Sequence, residues 1–361
     1  MTVIIVQPAL PAYRRELFTR MAEQLGAELT VWASRQESLG VLEANRDGIS
    51  WLRDLGPVKT LFPGLEWQPG LLSIPIECGD ILVVSGAPRS ISTLVLMGKA
   101  KLRGARIVWW GHYWSSTSKY WRASIRYALM HLADVILFYT DQEVDDYRKR
   151  HLGAACKPAR ALNNGIDTRD ICRFRSPFVA ATRTRDLLFI GRLTEKAELA
   201  LLLRALASQK CAAMTLDIIG DGERMEELHR LAVELNLEGR IIWHGGTADE
   251  ARIASIANRC KAFVYPGSVG LSLIHGLAYG LPAVVHNDRW NHMPEFAALS
   301  VGLNGFTFER GNAESLAKTL VALLSDVVAL DVASAHSIAT IERTFNIDDM
   351  ASRFTRVIEE L

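Results

Sequence analysis

The sequence carries no surplus of charge: 41 Lys and Arg stand against 40 Asp and Glu, a formal net charge of +1. Surfaces that bind nucleic acid are strongly basic, so no nucleic-acid partner is expected. Cysteine is scarce and unpaired. The five (Cys78, Cys156, Cys172, Cys211, Cys260) include no C-x-x-C pair, which indicates neither a zinc site nor a disulfide framework and fits a reducing cytoplasm. No apolar run approaches the ~18 residues of a membrane span, and the start "MTVIIVQPAL" lacks the basic region and cleavage site of a signal peptide. Any membrane contact is therefore expected to be peripheral. A G-x-G-x-x-G fingerprint is missing after the first strand, where "QPALPAYRRELFTRM" (7–21) stands instead; a dinucleotide oxidoreductase is disfavoured. The acidic pairs Asp145-Asp146 and Asp348-Asp349 lie in helix-like segments and read as solvated faces. Neither a metal nor a cofactor is expected.

What is present is an α/β pattern that occurs twice. At 361 residues and 49% hydrophobic composition the chain is long enough for two cores. Short β-branched runs alternate with amphipathic segments of helix length, which points to parallel sheets. The first half gives strands at 3–7, 28–33, 80–85, 105–111 and 134–140, and the second at 186–191, 216–222, 240–246, 262–267 and 282–287. Between them 166–185 is polar, basic and without period, a linker between domains at 1–165 and 186–340. Residues 312–329 and 346–361 have helical spacing, with Asn312 and Asn346 placed as N-caps.

In "YPGSVGLSLIHGLAYGLP" (265–282) a strand ends at Tyr265, a glycine-containing turn follows, and a helix starts near Val269–Ser272 and stops at Gly280-Leu-Pro282. Such a helix start faces the carboxyl edge of the sheet. Its free N–H groups and dipole suit a phosphate, although the same glycines could serve packing alone. Gly191 and Arg192 leave the first strand of the second half, and Lys196 follows one turn later; the two cations could share one anionic ligand or simply face solvent. In 215–246 the glycines, Gly220 and Gly245 among them, let the backbone approach a ligand at the sheet edge.

"FIGRLTEK", "LDIIGDGERMEELHRLAVELNLEGRIIWHGG", "FVYPGSVGLSLIHGLAYGLPAVV" and "GLNGFTFERGNAESLAKTL" together resemble the successive motifs of the family 4 glycosyltransferases over about 186–325, and "LNNGID" (162–167) extends the likeness more weakly. The resemblance implies a GT-B fold: two Rossmann-like domains facing a cleft, with 341–361 crossing back to the first. It also implies a retaining, metal-independent transfer from a nucleotide-diphosphate-sugar, bound by the second domain, to a glycan or lipid-linked acceptor, bound by the first. Family habit places such work in bacterial surface polysaccharide or lipopolysaccharide synthesis, in the cytoplasm or at the inner face of the membrane. Carried over by position, Arg192 contacts the donor pyrophosphate and the amides of Val269, Gly270, Leu271 and Ser272 hold its distal phosphate. Lys196 falls one position short of the family's lysine. The family's paired glutamates, eight apart, fall on Gly267 and His275, so the donor sugar loses an acidic partner while His275 keeps a hydrogen-bonding group for the ribose.

In the first half, His112 follows a strand directly and resembles a family histidine that contacts donor sugar or acceptor; a structural role is the other reading. Tyr13, Arg14 and Arg15 replace the glycines often found in the family's first loop, and the two arginines either bind an acceptor phosphate or face solvent. Lys101 to Tyr127 carries six basic residues, no acidic ones and four tryptophans, Trp114 included. This composition suits an anionic membrane or lipid phosphate, stacking on a glycan, or a basic helix face over core aromatics. The resemblance implies front-face substitution, with Arg192, Lys196 and the helix-end amides stabilising the leaving diphosphate. A GT-B epimerase or phosphorylase, and a non-catalytic binding homologue, are the rival readings.

Overall fold

The computed structural model describes residues 1–35, 44–62, 65–86, 89–113, 126–150 and 156–361. Trp114, read as an acceptor contact, lies outside the described residues. Two compact units divide the chain: Met1–Asn164 with Ile347–Leu361, and Gly165–Asn346.

The first unit holds β1 (Thr2–Gln7), β2 (Glu28–Ala33), β3 (Leu52–Asp54), β4 (Lys59–Phe62), β5 (Leu65–Trp67), β6 (Ile81–Ser85), β7 (Arg106–Trp110), β8 (Val135–Phe138) and β9 (Ala159–Ala161). Seven form one sheet in the order β3-β2-β1-β6-β7-β8-β9, every pair parallel. β4 and β5 make a separate antiparallel pair. Its central strands β1, β6, β7 and β8 are apolar on both faces, as a parallel sheet covered on each side requires, and two core clusters flank it. Trp109 and Trp110 are core residues of β7, so for these two the reading as core aromatics is the right one. One cluster is completed by the helix Ile347–Glu359, whose Ile347, Met350, Ala351, Phe354, Val357 and Ile358 are buried at helical spacing.

The second unit holds β10 (Arg185–Ile190), β11 (Leu216–Ile219), β12 (Ile241–Trp243), β13 (Cys260–Tyr265), β14 (Ala283–His286) and β15 (Gly305–Phe308). They form a parallel sheet in the order β12-β11-β10-β13-β14-β15. The strand order reverses between β10 and β13. The loops leaving these two neighbours diverge to opposite faces, which opens the crevice where ligands of such sheets bind.

Two differences from the sequence reading have physical causes. The segment 166–185 is built into the second unit: Ile171 and Ala180 are fully buried in its core, and the helix Arg169–Phe174 buries one side chain, too few for a period to show. The helix read at 312–329 is two, Ala313–Leu324 and Val327–Arg343, because Asp326 caps the second by accepting from the amides of Val328 and Ala329. Asn312 caps the first, accepting from Ser315 N–H at 3.0 Å; at the start of the last helix the side-chain amide of Asn346 donates to the carbonyls of Ile341 and Glu342.

Candidate functional site

At the crevice of the second unit, the loop after β10 begins with Gly191 and the loop after β13 begins with Pro266. Glycine is required at 191 for space: a methyl group there would lie 2.9 Å from Cε2 of Tyr265 and 3.4 Å from Oγ of Ser272. Tyr265 itself stacks on Phe189, ring centroids 4.9 Å apart. Its phenol is pushed up by burial, an effect that the nearby Arg192 guanidinium opposes. Arg192 and Lys196 are both exposed.

The helix Leu271–Ala278 starts here and ends at Gly280, whose φ of 73° is the left-handed stop that glycine allows. Its start is unusually bare. Gly270 stands at the N-cap and has no side chain to accept from the first amides, and the first turn has no acidic residue. Helices ordinarily compensate this end with a cap or a carboxylate. The Leu271 and Ser272 amides have no helical carbonyl within reach, and the carboxylate beside this end comes from another segment: a Cβ on Gly270 would lie 3.6 Å from Oε2 of the buried Glu295.

Gly267 packs directly on the turn that carries Lys196. A Cβ there would sit 2.1 Å from the Lys196 carbonyl oxygen, so the position has no room for any side chain. What fills the space is the turn that carries Lys196: a short 3-10 segment, Glu195–Ala197, followed by Glu198 in the left-handed region at φ 50°. The Lys196 carbonyl accepts from Ser268 N–H at 2.9 Å.

Two residues read from the sequence as ligand contacts belong to the frame instead. Gly220 donates its N–H to the Gly245 carbonyl at 3.0 Å, and a methyl on it would meet the Gly191 carbonyl at 2.0 Å. Val269 is fully buried; its N–H donates to Nδ1 of His292 at 3.2 Å and its carbonyl accepts from Met293 N–H at 2.9 Å. The cradle therefore begins at Gly270. Gly245 has a φ of 71° and open space around its Cα.

His275, one turn into the helix, donates from Nε2 to Glu250 Oε1 at 2.9 Å, and the Tyr279 hydroxyl donates to the same oxygen. Burial raises the Glu250 pKa, but the hydrogen bond and charge of His275 and the bond from Tyr279 outweigh it, so the carboxyl is held below its ordinary range. Tyr279 is pushed up by burial and by that carboxylate. A carboxylate thus stands beside position 275 after all, supplied by the helix Glu250–Ala257. Nothing in the sequence near His275 could reveal it, since the two are 25 residues apart; only the i, i+4 spacing of His275 and Tyr279 hinted at a shared face.

In the first unit, Arg14 is not displayed. It is 6% exposed, lies 4.9 Å from the Trp110 ring centroid and donates to Asn164 Oδ1 at 3.1 Å. Its phosphate-binding reading is set aside for this buried role; Arg15 and Tyr13 are exposed. His112 packs on Tyr139, centroids 4.3 Å apart. Its pKa is pushed down to about 4 by burial and by the charges of Arg126 and Arg14, so the ring is neutral at pH 7 and its 4.0 Å approach to Glu143 is no ion pair. Glu143, missed in the sequence, ties the ends of β7 and β8 by accepting from Tyr113 N–H at 2.9 Å and Tyr139 N–H at 3.0 Å.

Two parallel-sheet, Rossmann-like units with the closing helix in the first define the GT-B fold. The structure of Anabaena Alr3699/HepE in complex with UDP shares it, with a TM-score of 0.71, 16% identity and full coverage of both chains. Residues 172–337 match the model of the family Glycosyl transferases group 1. It is similar to the glycogen synthase of Alkalilimnicola ehrlichii, 32% identical over 138 residues that span 37% of this chain and 28% of that protein. It is also similar to the lipopolysaccharide core biosynthesis glycosyltransferase LpsE of Rhizobium meliloti, 26% identical over 143 residues, 39% of each chain. The matched stretch spans well under half of either relative.

Proposed function

We propose that this chain transfers a sugar from a nucleotide-diphosphate-sugar to a hydroxyl of a glycan or lipid-linked acceptor, in the synthesis of a surface polysaccharide or lipopolysaccharide. The observation that carries this reading is the helix start at Gly270, without a side-chain cap, at the crevice whose other loop, after β10, carries the exposed Arg192 and Lys196. Each charge-assisted hydrogen bond to a diphosphate is worth about 1.5–3 kcal/mol, enough in sum for a micromolar ligand after ordering costs. The names of the Rhizobium relative and of the UDP-bound Anabaena structure support the substrate classes.

In the proposed reaction the bond between the anomeric carbon and the diphosphate oxygen breaks, the acceptor oxygen bonds to that carbon on the same face, and its proton passes to the leaving diphosphate. Configuration is retained. Arg192, Lys196 and the Gly270–Ser272 amides stabilise the charge that grows on the leaving group, and turnover is expected to survive a chelator. His275 and Glu250 lie one helical turn from the cradle, where the ribose follows. Neutral His112 serves as a hydrogen-bond partner for sugar or acceptor.

The test is calorimetry against UDP, GDP, ADP and CMP without metal. One diphosphate should bind clearly, and Arg192→Ala should weaken it at least tenfold, about 1.4 kcal/mol. Unchanged affinity in a folded Arg192→Ala protein would remove the donor site. Binding without transfer or hydrolysis would support a non-catalytic homologue, a reading favoured by the absence of any side chain at Gly267.

A further inference from the structure

Building on that reading of the diphosphate cradle, we propose that His292 is its positioning residue, a neutral imidazole that fixes Val269 and so aims the amides of Gly270, Leu271 and Ser272. The turn needs such a device. It contains Gly267 and Gly270, and glycine gives the backbone more freedom to lose than any other residue. Val269, between them, is held at both of its polar groups by the segment after β14. Its N–H donates to His292 Nδ1 at 3.2 Å, and its carbonyl accepts from the adjacent Met293 N–H at 2.9 Å.

The far side of the ring settles which nitrogen carries the proton. His292 Nε2 lies 2.9 Å from the His286 carbonyl oxygen, which can only accept, so Nε2 carries the hydrogen and Nδ1 is the bare acceptor that Val269 needs. The ring is sandwiched between His286, at 3.7 Å between centroids, and Phe296, at 4.5 Å. His286 is fully buried and accepts from Asp288 N–H at 3.2 Å. Burial is the main reason that the His292 pKa is pushed down to about 4; a cationic ring would turn a second N–H toward the Val269 amide. The same segment limits the cradle from outside, since a Cβ on Gly270 would meet Cγ of Met293 at 3.2 Å.

Two substitutions separate positioning from packing. His292→Phe keeps the stack but removes donor and acceptor, whereas His292→Asn loses the ring but keeps an acceptor at the Nδ1 place. The expected result is a diphosphate Kd, and a donor KM, raised about tenfold in His292→Phe. His292→Asn should bind within about threefold of the parent although its melting temperature is the lower of the two. Parent-like binding by His292→Phe, or losses of affinity that follow losses of stability in both variants, would overturn the proposal. Should His292→Phe fail to fold, ¹⁵N spectra of the unmodified protein decide instead. They should show the Nε2–H tautomer at pH 7, and UDP should shift the Gly270–Ser272 amides far more than Val269; the other tautomer would sink the idea. A parent protein that binds no diphosphate at all would remove the cradle reading itself, and this proposal with it.

Discussion

At the scale of single residues, glycines carry most of what distinguishes this chain, and each by a different mechanism: Gly191 by space beside Tyr265, Gly280 by its φ, Gly270 by leaving a helix uncapped. That Gly267 has no room for a side chain was not legible in the sequence, because what fills the space is the Lys196 carbonyl, 71 residues away and part of a backbone no motif describes. Gly267→Glu should therefore not restore an ancestral contact. It should lower the melting temperature by several degrees, and adding one residue between Arg192 and Lys196 in the same protein should recover part of the loss. Gly270→Pro should weaken diphosphate binding at least tenfold, about 1.4 kcal/mol, in calorimetry, because it removes an amide and restricts the cap. The buried histidines give a pH prediction. His286 and His292 are pushed down from about 6.5 to about 3 and about 4, chiefly by burial. Below about pH 6.5 the unfolded chain takes up protons that these rings refuse in the folded state, so stability falls as the pH drops from about 6.5 toward 4. Urea midpoints across that range would show it, and a flat profile would contradict it.

At the scale of elements, the strands legible in the sequence are mostly the central apolar ones, and the ones missed, β3, β4, β5, β9 and β15, are three or four residues long and lie at a sheet edge or in the separate antiparallel pair. A run that short has no room to display a period. The elements are also locked by polar groups that spacing does not announce. Asp217 on β11 is fully buried and accepts from Arg185 on β10 and from His244, after β12, at 2.7 Å, tying three adjacent strands at one point. Asp217→Ala leaves the half-buried Arg185 guanidinium without its carboxylate, though still bonded to the Leu216 and Arg240 carbonyls, and should cost about 3 kcal/mol, read from chemical denaturation of the second unit. The candidate site follows the same division. Its loops and helix start were visible as glycine and charge patterns, while Glu250, Glu143 and His292 act through partners 25, 30 and 23 residues away.

At the scale of the whole molecule, the two α/β patterns and the helical character of the last segment were plain from periodicity, whereas the return of that segment to the first unit was legible only through the family resemblance. The first unit is made from two pieces of sequence, and its second piece, the helix Ile347–Glu359, lies against the helix Ala12–Gln24, with Arg20 and Asp348 3.5 Å apart at the rim. Phe354, fully buried and 6.5 Å from Trp110 between ring centroids, anchors it, so Phe354→Ala should destabilise the first unit by roughly 3–5 kcal/mol and leave the second unit's denaturation unchanged. This arrangement also dictates an order of synthesis. On the ribosome the second unit, continuous from Gly165 to Asn346, is complete while the first still waits for the helix that covers Leu17, Phe18 and Met21. The part of the protein translated first is therefore the part finished last, and its uncovered apolar face is where a chaperone would find this chain during translation.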